Sequence, residues 1–70
     1  MEMTRLWTSK AVSEIGYDAD SRTLRLVFRS GGRYDYLDVD PEVYQGLTHS
    51  AHPWTEWRER VLQHDYRRLD

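Results

Sequence analysis

Two groups of side chains in the middle of the chain could do chemistry. Arg25, Arg29 and Arg33 recur at regular spacing, and Tyr34 and Tyr36 follow at alternate positions. Guanidinium groups can clamp phosphates through paired N–H···O bonds, or dock an acidic protein surface. Tyrosine rings beside them can stack on unpaired bases, the usual chemistry of single-stranded RNA modules. With Arg22, these arginines lie in a window, residues 22–33, that contains no acid. Residues 37–57 are the reverse: they carry Asp38, Asp40, Glu42 and Glu56 and no Lys or Arg. Nine of the ten cations are arginine, which favours planar, bidentate contacts over diffuse charge. The formal net charge is −2, so bulk electrostatic capture of nucleic acid is disfavoured and any such binding must be local. The competing reading of the arginines is an ordinary solvated strand face, with Asp35 and Glu14 as neutralising neighbours.

Other candidates are weaker. His49, His52 and His64 have no cysteine to support them and no helical register that would gather them on a metal. Trp54 and Trp57 fit either a core stripe or an interface anchor, Trp54 being the better anchor because it begins its helix. The aspartates have turn and cap positions, the serines lack a nucleophile-elbow context, and Gly31-Gly32 fits a hairpin and not a phosphate loop. No catalytic residue, cofactor or metal is therefore expected, and the chain reads as a non-enzyme.

The elements that must position these side chains follow from periodicity. Seventy residues suffice for one small domain, in which aromatic rings must supply much of the core. Residues 1–8 read as a tail and residues 9–70 as the domain. Residues 11–17 are strand-like, and 17–22 form a turn. Residues 23–28 alternate, with Leu24, Leu26 and Phe28 on one face and Arg25, Val27 and Arg29 on the other. Ser30-Gly31-Gly32 supplies the positive φ of a hairpin, and residues 33–37 return. If Arg29 lies opposite Arg33, Phe28 pairs with Tyr34 and Leu26 with Tyr36. Both tyrosines then share the aliphatic face, either as core or as a platform whose hydroxyls reach the rim.

Asp40-Pro41-Glu42 is a helix start, with Asp as N-cap and Pro at the first helical position. Val43, Tyr44 and Leu47 form its apolar stripe, and Gly46 is placed to end it. Pro53 opens a second helix carrying Trp54, Trp57 and Val61 on one face. The expected architecture is α+β: a three-stranded antiparallel meander followed by two short helices on one sheet face. No run of apolar residues is long enough for a membrane span, and the N-terminal residues lack a signal-like apolar core. A soluble cytoplasmic protein is expected, monomeric or weakly dimeric through an open sheet edge.

These residues resemble the KTSC domain, a short bacterial module found alone and at the C-terminus of some lysyl-tRNA synthetases. The resemblance starts at Ser9, Val12 and Ile15-Gly16-Tyr17-Asp18. It continues through Leu24, Leu26, Phe28 and Gly31 to Tyr34 and Tyr36, similar to the family's Tyr-x-Tyr signature. Val39, Val43-Tyr44, Trp57 and Val61 match its later positions. Two positions depart from the pattern: His52-Pro53 stands where the family often has glycine, and Arg58 where it often has asparagine. The resemblance implies RNA binding, by way of the synthetase context. The leading expectation is thus a small RNA-binding module using Arg25, Arg29, Arg33, Tyr34 and Tyr36. The alternative is a protein-interaction module docking an acidic or apolar partner through the same arginines or Trp54.

Overall fold

Strict alternation of large apolar residues in 23–28 builds the central strand, and its neighbours assemble on both sides of it. The computed structural model describes residues 1–69. In chain order the elements are β1 (Met3–Arg5), β2 (Val12–Asp18), β3 (Thr23–Phe28), β4 (Arg33–Tyr36), α1 (Pro41–His49), α2 (Pro53–Leu62) and β5 (Tyr66–Arg68). The five strands form one antiparallel sheet in the order β1-β2-β3-β4-β5. Val12, Ile15, Leu24, Leu26 and Tyr36 of the sheet meet Val43, Leu47 and Val61 of the helices, and Leu6 and Val39 close the core. Removing each such aliphatic side chain from water contributes about 1.5–3 kcal/mol.

The α+β class and the two helices agree with expectation, but the sheet has five strands and not three. β1 lies inside the presumed tail. Leu6 is buried, its N–H donates to the Ser13 carbonyl at 2.9 Å, and the Arg29 guanidinium binds the Leu6 and Ser9 carbonyls at 2.9 and 3.0 Å. β5 follows α2 and pairs with β4, Tyr36 opposite Tyr66 and Tyr34 opposite Arg68. Each added strand is three residues long and mostly exposed, so neither carries an alternating pattern. Both exist because the meander offers an unpaired edge whose N–H and C=O groups they satisfy.

The β3–β4 hairpin also differs in register. The Phe28 N–H donates to Gly32 O at 2.8 Å, and the Gly31 N–H to Phe28 O at 2.9 Å. The loop is therefore Arg29-Ser30-Gly31, with Gly31 at φ +109°, a three-residue turn with a glycine bulge. Tyr34 lies opposite Leu26 and Tyr36 opposite Leu24, two residues along β3 from the expected partners. Because side chains alternate with period two, an even slip keeps both tyrosines on the aliphatic face.

Gly46 does not end α1, which runs on to His49. Its role is contact: a Cβ there would stand 2.0 Å from Trp57 Cζ2, so the indole of α2 lies directly on the α1 backbone. The two helices thus cross at a point where only a hydrogen fits.

Candidate functional site

Of the three arginines expected to clamp phosphates, Arg25 and Arg29 have partners within the fold. Arg25 makes a bidentate pair with Asp35, Nε to Oδ1 at 2.7 Å and Nη2 to Oδ2 at 3.0 Å. Asp35 is only 3% exposed and also has Arg67 Nη2 at 3.8 Å. The Asp35 hydrogen bond holds the Arg25 guanidinium above its ordinary pKa, with the carboxylate's charge adding to it against partial desolvation. Arg29 turns to the carbonyls of Leu6 and Ser9 and ties β1 to the hairpin. Arg22 pairs with Asp40, and with Asp38 at 3.7 Å. Arg33 begins β4 as an exposed residue, opposite Val27. The acid-free window therefore meets the acids in space, and its charge is largely used by the fold.

Tyr34, Tyr36 and Trp54 do come together. They lie at the β4–β5 end of the helix-side face, where α2 stands beside the sheet and leaves a groove of about 410 Å³. Five rings line it: Phe28, Tyr34, Tyr36, Trp54 and Tyr66. Phe28 meets Trp54 edge-on at 5.2 Å and Tyr34 at 5.6 Å, while Tyr66 meets Tyr34 at 5.6 Å and Tyr36 at 5.8 Å. Such pairs contribute about 0.5–1.5 kcal/mol each beyond area burial, so the cluster is self-supporting.

The depth of the rings is graded. Tyr36 is 4% exposed and Tyr34 is half-buried, whereas Tyr66 is 60% exposed. Burial raises the Tyr36 phenol above its ordinary pKa, and the Tyr34 and Tyr66 phenols push it the same way. Leu62 of α2 and Arg68 of β5 complete the walls, the Arg68 guanidinium lying 5.6 Å from the centre of the Tyr34 ring. No carboxylate is among the described residues that line the groove.

Tyr66, Leu62, Phe28 and Arg68 were not singled out from sequence as site residues. The available signal was the run Tyr66-Arg67-Arg68, an aromatic followed by two arginines just beyond the second helix. The histidines are not gathered. His49 Nδ1 lies 2.7 Å from Gln45 O at the end of α1, and His52 occupies the N-cap position of α2. Among the described residues no group of three potential ligands could hold a metal ion. A second hollow, about 370 Å³, separates residues 8–11 from the start of α2, and Trp54 is its one aromatic wall.

A sequence profile of the KTSC domain matches residues 8–66. The chain belongs to the KTSC domain family. Its fold is similar to the crystal structure of a KTSC domain protein from Yersinia pestis, with a TM-score of 0.81 and 28% identity. The alignment covers 99% of this KTSC domain chain and 100% of the Yersinia chain, so both short edge strands fall within the shared region. No curated protein matches the sequence. No described helix of this KTSC domain is long and apolar enough to cross a membrane.

Proposed function

We propose that this KTSC domain is a small non-catalytic module that binds single-stranded RNA in the groove between α2 and the β4–β5 edge. The observation that carries this reading is a groove walled by five rings, with an arginine at its mouth and no carboxylate among its described lining residues. Stacking a base on an exposed aromatic ring contributes about 1–3 kcal/mol and tolerates any base. A nearby guanidinium supplies a charge-assisted bond to the phosphate that accompanies the base. Tyr66 and Trp54 offer the stacking surface, while Phe28, Tyr34 and Tyr36 form its floor. The site differs from the arginine-bearing sheet face that the sequence suggested, because Arg25 and Arg29 are committed to the fold.

A protein-binding reading draws on another observation. Trp7 is 79% exposed beside β1, with the Arg5 guanidinium 4.8 Å from its ring centre. An exposed tryptophan with an arginine is a common interface anchor.

The test is fluorescence anisotropy of labelled (rU)10 and (rA)10 titrated with the domain at 50 mM salt. Saturable binding of both is expected, and Tyr66→Ala should weaken it about 5- to 150-fold through the lost stack. Absence of binding to either strand at this low salt would refute the RNA reading and turn attention to Trp7.

A further inference from the structure

Almost every arginine of this chain has a task within the fold. Arg22 holds Asp38 and Asp40, Arg25 and Arg67 hold Asp35, and Arg29 holds two carbonyls. Arg60 binds Glu42 at 3.1 Å and lies over the Trp57 ring, and Arg5 lies over Trp7. Arg58 differs: among the described residues it makes no hydrogen bond, ion pair or ring contact.

Its place on α2 is specific. Arg58 stands one turn after Trp54 and one turn before Leu62, and both of those residues line the aromatic groove. Residues four apart on a helix share a face, so Arg58 belongs to the groove flank of α2. Arg60 belongs to the other flank, where it meets Glu42 of α1. Arg68 of β5 lines the groove on the tyrosine face, because it pairs with Tyr34.

Resting on the RNA reading, we infer that Arg58 and Arg68 form a two-sided phosphate gate over the aromatic floor. An unpaired strand passes between α2 and β5, sets a base against Tyr66, and presents successive phosphates to the two guanidinium groups. The ligand class is then a short unpaired run, with about two phosphates engaged by the domain. A duplex does not fit this role, because its base faces are hidden in the stack. Base preference should be slight, since ring stacking and phosphate contacts carry no direct sequence information.

Salt dependence reads the number of phosphates directly. For single strands, log K falls against log [salt] by about 0.7 per phosphate neutralised. Two contacts give a slope of about −1.4, or roughly a 7-fold loss of affinity between 50 and 200 mM salt. Arg58→Gln should reduce the slope to about −0.7, or roughly a 2.6-fold loss over the same range. Arg5→Gln, on the opposite sheet edge, should leave the slope unchanged. The probe is labelled (rU)10, and circular dichroism confirms that each variant is folded. A wild-type slope halved by Arg58→Gln and untouched by Arg5→Gln supports the gate. If (rU)10 binds and Tyr66→Ala weakens it, but Arg58→Gln keeps the full slope, the gate is overturned while the RNA reading stands. If wild type fails to bind (rU)10 at 50 mM salt, the RNA reading falls and the gate with it.

Discussion

Gly46→Ala tests whether the contact between the helices sets their spacing. In the interior of a helix this exchange alone should stabilise by about 1 kcal/mol, because alanine has the better propensity. Here the new Cβ would stand 2.0 Å from Trp57 Cζ2, 2.1 Å from Cε2 and 2.4 Å from Cη2. Carbon atoms rest about 3.5–4.0 Å apart, so the indole must retreat by about 1.5 Å or more. Its room is limited by α1 on one side and by the Arg60 guanidinium, 5.2 Å from its ring centre. Overpacking of this kind costs about 1–3 kcal/mol, and a clash this deep belongs at the upper end. After the propensity gain, a net destabilisation of about 1–2 kcal/mol is expected, and a fall in Tm of about 4–16 °C. Thermal melts followed by circular dichroism measure this. In a Trp57→Leu background the same substitution should turn neutral or stabilising, giving a strong coupling between the two positions. A Gly46→Ala single variant that melts at or above wild type would refute the packing argument.

Arg29→Gln should lower stability by about 1–2 kcal/mol, since two charge-assisted bonds to the Leu6 and Ser9 carbonyls are lost. Affinity for (rU)10 should be unchanged in that variant, and a large loss of affinity would return Arg29 to the binding surface. Stability should also respond to alkaline pH through Tyr36, whose folded pKa is raised by burial. In the window above the ordinary phenol value of 10.0 the unfolded chain releases this proton while the folded chain retains it. The contribution is fully present below that value and is lost as pH rises through the folded pKa. Denaturant melts from pH 9 upward should show this decline, and Tyr36→Phe should flatten it.

Legibility followed locality. The alternation of Leu24, Leu26 and Phe28, the glycine of the hairpin and the Asp40-Pro41 helix start are short-range signals; β3 and α1 began where those signals placed them, and the hairpin loop shifted by one residue. The parity argument survived a wrong register because the slip was even. Asp40 marked the boundary of α1, yet its carboxylate bonds Arg22 and makes no cap bond to the helix backbone. Within the arginine window Asp35 was legible as a neutralising neighbour, but the partners of Arg22 (Asp38 and Asp40) and of Arg29 (the Leu6 and Ser9 carbonyls) are distant in sequence and adjacent only after folding. β1 and β5 were invisible because a three-residue edge strand is made by its neighbour and not by its own pattern. Without β5, the groove lacks the wall that Tyr66 and Arg68 form. Its tyrosine face could be placed from sequence, but Tyr66 and Arg68 could not.

The strand order has a kinetic consequence. Four strands pair with neighbours a single turn or short connection away, so their loops close at small entropic cost. The pairing of β4 with β5 is different, because both helices intervene between the partners. That closure joins the most distant segments of the sheet and is the natural candidate for the last step of assembly. Reversal of that step is a route of partial opening, in which β5 separates from β4 while the meander persists. The aromatic groove straddles this seam. A ligand held there would act as a fastener on β5, shifting the opening equilibrium toward the paired strand as its free concentration exceeds its Kd.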